Sequence, residues 1–143
     1  MNRRAFTLIE LILVVVLLAT LVAVVAPSLF GSSRGRELGN QATAVLAATE
    51  YARSEAISQG VPMTFWANED RFGVRGGEVP AREKTWTLPR DVRLKELPDD
   101  PDMAVFQPDG TLDLESVDEL KLVHSDGSAV VVVKNGNGYR IEK

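Results

Sequence analysis

Glu10 is the residue whose setting most demands a chemical reason. It lies inside Phe6–Ala26, FTLIELILVVVLLATLVAVVA, where Thr7, Glu10 and Thr20 are the polar exceptions in an otherwise apolar run. A carboxylate within hydrocarbon costs at least a few kcal/mol and is normally kept only for a task, most simply pairing with a cation. Other candidate chemistry is thin. His124 is the sole histidine and falls in an alternating, strand-like stretch, so it reads as a surface or core residue rather than a catalyst or ligand. Asp99, Asp100 and Asp102, with Glu96 nearby, could offer calcium several oxygens. The two prolines of Leu97-Pro98-Asp99-Asp100-Pro101-Asp102 favour a solvated acidic loop instead, so no metal site is expected. There is no cysteine, which removes disulfides, thiolate catalysis and cysteine-ligated zinc together. No nucleophile, base and orienting acid occur as a set, and neither an enzyme nor a cofactor is expected.

The elements that must position Glu10 follow from the same run. About 20 apolar residues at about 1.5 Å each cross a hydrocarbon core of about 30 Å, and Phe6–Ala26 is long enough. Arg3 and Arg4 precede it. The positive-inside rule therefore keeps the N-terminus cytoplasmic and sends the chain beyond Phe30 across the membrane. A cleaved secretory signal fits poorly, because its apolar region would be shorter and Pro27 follows the only small-residue site, Val24-Val25-Ala26. A twin-arginine signal, hinted at by Arg3-Arg4-Ala5-Phe6, is usually less hydrophobic and still needs a cleavage site. A plain anchor accounts for the length and the arginines but not for Glu10.

Beyond the run, Pro27 and the glycines and serines of Ser28–Gly35 predict a loosened or kinked helix that suits a bending stalk. Gly31, Gly35 and Gly39 share one helical face, as in a small-residue packing motif, but Arg34, Arg36 and Glu37 between them favour flexibility. From Leu38 the residues Leu38, Ala42, Val45, Leu46, Thr49, Ala52, Ala56 and Ile57 recur at helical spacing, predicting one buried face. Gly60-Val61-Pro62 predicts the stop. The remainder alternates with period two. Strands are predicted at Pro62–Ala67, Arg71–Val74, Val92–Leu97, Met103–Phe106, Leu120–His124, Ala129–Val133 and Tyr139–Ile141, with Pro108-Asp109-Gly110, Asp126-Gly127 and Asn135–Gly138 as turns. The fold class is α+β: an N-terminal transmembrane helix continuing into an amphipathic helix packed on antiparallel sheet. The whole, 143 residues with a net charge of −4, is one small domain on an anchor.

Ala5-Phe6-Thr7-Leu8-Ile9-Glu10 followed by an unbroken aliphatic helix resembles the processing site of type IV pilins and type II secretion pseudopilins. The resemblance implies that a prepilin peptidase cuts between Ala5 and Phe6, where this chain has alanine in place of the family's usual glycine, and that the new Phe6 amine is N-methylated. It also implies that Glu10 serves subunit assembly: on helices packed with a small axial offset, one chain's carboxylate can meet the next chain's amine in a low-dielectric setting. A glutamate snorkelling toward the headgroups is the plainer alternative. Pro27 matches a helix-loosening proline common in pilins. Residues 1–5 are then the leader, 6–30 the transmembrane helix, 31–60 linker and amphipathic helix, and 61–143 the β-rich domain.

Ala52-Arg53-Ser54-Glu55-Ala56, Phe106-Gln107-Pro108-Asp109-Gly110 and the closing Gly138-Tyr139-Arg140-Ile141 narrow the resemblance to the GspH/FimT group of minor pseudopilins and minor pilins. It implies a bacterial inner-membrane protein with a periplasmic domain. Its implied partners are the prepilin peptidase, other pseudopilins or pilins in a filament, an inner-membrane assembly platform and membrane lipid. Two functions follow from it, a structural subunit of a secretion pseudopilus or a minor pilin for pilus assembly or DNA uptake. DNA capture needs a basic stripe. Removing Arg3 and Arg4 from the 16 basic residues would leave 14 against 20 acidic, a formal −6, so DNA is the less expected partner and secretion the favoured function.

Overall fold

The computed structural model describes residues 8–76 and 82–142. One α-helix, α1, spans Leu8–Gln59. The chain divides into two compact units, Met1–Arg36 and Glu37–Lys143.

In the second unit α1 supplies one face of the core. Leu38, Ala42, Val45, Thr49, Ala52 and Ala56, spaced by four and three, are all buried, as is Ala48. Four of these are alanines, which let backbone and sheet approach closely. Thr49 is the polar member of the stripe, and its hydroxyl is satisfied locally by donating to the Leu46 carbonyl at 2.8 Å. Ile57, expected on this face, is instead 53% exposed. The helix ends where Gly60 turns to φ +68° and its N–H closes on the Ala56 carbonyl at 3.0 Å.

Among the described residues eight strands follow: β1 (Met63–Ala67), β2 (Arg71–Gly76), β3 (Arg82–Thr87), β4 (Val92–Lys95), β5 (Asp102–Phe106), β6 (Glu119–His124), β7 (Ala129–Asn135) and β8 (Gly138–Glu142). They form two four-stranded sheets, in the orders β3-β2-β1-β5 and β4-β6-β7-β8, rather than a single sheet. Every pairing is antiparallel. One core joins α1 to both sheets, with Phe65, Phe72 and Phe106 from the first and Leu94, Leu120, Leu122 and Val132 from the second. Fully burying one such side chain stabilises by about 1.5–3 kcal/mol.

Local departures from regular pairing have visible causes. Phe65 faces Ala104 while Trp66 faces Asp102, so Met103 is an extra residue in β5, and this bulge lets Met103 and Ala104 both reach the core. Strand β4 stops at Lys95, short of the expected Leu97, because Glu96 adopts φ +59° and its carboxylate is drawn to Lys121. Strand β3 was not expected at all. Its sequence, REKTWT, offers only Trp86 as an apolar anchor, and Glu83, Lys84, Thr85 and Thr87 are exposed, as befits an edge.

Candidate assembly site

In the first unit every described apolar side chain from Leu8 to Leu21 is exposed. Leu8 is 77% accessible and even Val14, the most sheltered of the large ones, is 41% accessible. A helix apolar on all sides has no stable aqueous state alone and must be covered by lipid or by neighbouring helices. Among the described residues no helix is long and apolar enough to cross a membrane, and the anchor is carried by the sequence, whose apolar run extends from Phe6 to Ala26. Thr20 is neutralised within this surface, its hydroxyl donating to the Leu17 carbonyl at 2.9 Å. Glu10 lies in the first turn of α1 and is exposed among the leucines and valines. A carboxylate near a helix N-terminus also benefits from the helix dipole. Ala5 and Phe6 lie outside the described residues. Pro27 falls within the span of α1, so the loosening expected there does not interrupt the helical assignment.

Among the described residues the titratable groups of the domain serve its local structure. His124 is buried, and its Nδ1 accepts the Asp126 N–H at 3.2 Å. Asp126 is held down at about 2, chiefly because the hydroxyl and N–H of Ser128 donate to its carboxylate. These contacts close the β6–β7 turn. In the acidic loop, Asp100 accepts the Asp102 N–H at 2.9 Å, and Asp102 pairs with Arg75, whose guanidinium is raised above its ordinary value by that bond. With Glu96 drawn to Lys121, three of the four carboxylates considered for calcium are engaged by the protein, and among the described residues no group of acidic or histidine side chains is arranged to hold a metal ion.

The helix also holds the loop after β5, a link the sequence did not disclose. Arg53 Nε donates to the Gly110 carbonyl at 3.0 Å. Gly110, at φ +80°, sits so close to Ile57 that a Cβ there would be 2.9 Å from the Ile57 terminal methyl. The ARSEA helix and the PDG turn are therefore two halves of one contact. A signal was present in Arg53, a charged residue between core positions Ala52 and Ala56, which needs a reachable partner. On the β3 side of the helix, Tyr51 meets Trp86 edge-on with centroids 6.2 Å apart, and Lys84 Nζ stands 4.5 Å over the Tyr51 ring.

An all-round apolar N-terminal helix bearing one carboxylate, continued into an amphipathic helix packed on antiparallel sheets, defines the pilin-like class. The family model for the type II transport protein GspH matches residues 41–140, and the prokaryotic N-terminal methylation motif matches residues 1–26. No curated protein and no solved structure matches the chain. The chain belongs to the GspH family: it is a minor pseudopilin of type II secretion, a structural and non-enzymatic subunit with a membrane-anchoring N-terminal segment.

Proposed function

We propose that the chain is cut between Ala5 and Phe6 by a prepilin peptidase, methylated on the Phe6 amine, and built into a periplasmic pseudopilus by pairing of Glu10 with the Phe6 amine of a neighbouring subunit. Before assembly it rests in the bacterial inner membrane, single-pass, with its N-terminus cytoplasmic and its domain periplasmic. An inner-membrane assembly platform then draws it into a filament with other pseudopilins. The observation that carries this reading is Glu10, exposed on a helix whose other described side chains nearby are apolar. In lipid or among apolar helices an ion pair is its cheapest resting state, since an unpaired carboxylate there costs several kcal/mol. Pro27 supplies the point at which the helix can bend between membrane and filament. The acidic balance of 20 acidic against 16 basic residues speaks against DNA as a partner.

Intact mass of the protein extracted from membranes tests the processing. The expected chain has lost Met1–Ala5 and gained one methyl group. A chain beginning at Met1 or at Pro27 refutes it.

A further inference from the structure

We propose that the turn Asp113–Ser116 and the cleft beside it form a docking surface for a basic segment of a different pseudopilus subunit, with Leu114 as its apolar anchor. The inference rests on the filament reading above and names a contact within it. Leu114 is 94% exposed, whereas Leu112, two residues earlier, is buried. Alternation along Thr111–Ser116 would put both leucines on one side, and it is the turn that throws Leu114 outward. That turn is firmly held. The Asp113 N–H donates to the Val105 carbonyl at 2.9 Å, the Val117 N–H to the Met103 carbonyl at 2.8 Å, and the Ser116 N–H to the Asp113 carbonyl at 3.2 Å. Lys134 Nζ reaches the Ser116 carbonyl at 3.3 Å, and the Tyr139 hydroxyl donates to the Val117 carbonyl at 2.8 Å. Leu114 is thus presented by a rigid frame, so little conformational freedom is lost when a partner covers it.

Next to it is a cleft of about 370 Å³, lined by apolar Val105 and Val117 together with Asp100, Asp102, Asp113 and Glu115. The residues on either side of Leu114 both line this cleft. The charge of the surroundings selects the occupant. From Asp99 to Glu119 the chain carries Asp99, Asp100, Asp102, Asp109, Asp113, Glu115, Asp118 and Glu119 and no lysine, arginine or histidine. The nearby cations are already committed, Arg75 to Asp102 and Lys134 to backbone carbonyls. An acidic partner would be repelled, and the net negative charge left around Leu114 is met best by an apolar pocket flanked by lysine or arginine.

The test uses the full-length chain in secreting cells, with a photoreactive phenylalanine derivative at position 114 and, as a control, at exposed Glu142. Sequencing of the crosslinked peptides should show position 114 joined to another pseudopilus subunit through a peptide of net positive charge. Glu115→Lys should lower the yield at least fivefold, and reversing the contacted partner cation to glutamate should restore it. Leu114→Glu should abolish incorporation while leaving the unfolding midpoint of the domain unchanged, because the side chain has almost no contacts to lose. No adduct at 114, an adduct to an acidic or neutral peptide, an adduct to a second copy of this chain, or a yield indifferent to Glu115→Lys overturns the inference. If cells lacking the chain secrete normally, it is the filament reading that fails; if they need the chain but position 114 captures nothing, only the docking surface fails.

Discussion

Gly73→Ala should destabilise the domain although alanine is ordinarily the better strand residue. Removing an interior strand glycine normally stabilises by about 0.5–1 kcal/mol through backbone entropy. Here a Cβ would stand 2.7 Å from the Lys84 carbonyl oxygen and 2.8 Å from Trp66 Cε2 and Cζ2. Neither neighbour can yield cheaply. Lys84 is backbone in the adjacent strand, paired through Val74, and Trp66 lies directly across from Gly73 and is 7% exposed. Overpacking of this kind costs about 1–3 kcal/mol, so the clash wins and the net loss is about 1–2 kcal/mol. At about 4–8 °C per kcal/mol for a domain near 100 residues, the unfolding midpoint should fall by about 4–16 °C. The core lies wholly within Glu37–Lys143, so the melt can be followed on that segment by circular dichroism. Gly127→Ala is the matched control, with φ +90° but nothing within 4 Å of its Cβ, so it carries conformational strain without a clash. A Gly73→Ala midpoint at or above that of the parent would refute the close approach of Trp66 and β3 on which the argument rests.

Arg53→Ala should cost about 1 kcal/mol, since it removes a charge-assisted bond to the Gly110 carbonyl at a half-buried site, and should speed amide exchange in residues 107–112 while Arg53→Lys restores part of the protection. Asp126 should titrate near 2 by carbon-detected NMR, and Ser128→Ala should move it back toward 3.8. Because its folded value is depressed, its contribution is complete above the ordinary carboxylate range and is lost as pH falls through about 2, so Ser128→Ala should lower stability at neutral pH and leave it unchanged at the acid end, where the carboxyl is protonated in either chain. Glu10→Ala should leave membrane insertion and leader cleavage intact, since the helix only becomes more apolar, but should weaken crosslinking to partner subunits, with Glu10→Asp rescuing in part. Parental crosslinking by Glu10→Ala would return Glu10 to a carboxylate that merely snorkels.

Much of the domain was readable because its periodicities are strong. The face Leu38, Ala42, Val45, Thr49, Ala52, Ala56 needs only a spacing of three and four, and Gly60-Val61-Pro62 stops the helix by backbone conformation alone. The β7–β8 hairpin is announced by Asn135-Gly136-Asn137-Gly138, and Gly136 takes φ +60° as such a turn requires. Where reading failed, tertiary contacts decided. Strand β3 exists because β2 offers it six pairing positions, not because REKTWT alternates apolar and polar. The division into two sheets follows from which strands pair, β5 with β1 and β4 with β6, and no local pattern records such pairings. Ile57 has the right spacing for the core but sits at the end of the buried face, over Gly110. The candidate assembly site stands out in the sequence as a composition anomaly, one carboxylate in an apolar run, and the chain's membership of the family rests on the methylation motif and the GspH match together.

The division of the chain makes folding and assembly separable by experiment. Every buried core residue from Leu38 to Tyr139 belongs to the second unit, and the described apolar surface of the first unit contributes none of its side chains to that core. Glu10 lies outside the unit that holds the core and Gly73 within it, and substitutions at independent sites act additively to within a few tenths of a kcal/mol. A Gly73→Ala chain should unfold earlier yet crosslink normally below its midpoint, and a Glu10→Ala chain should melt as the parent does yet fail to assemble. Were Glu10→Ala to lower the melting midpoint of the domain, the carboxylate would have to act within its own subunit, and the pairing between neighbours would lose its physical basis.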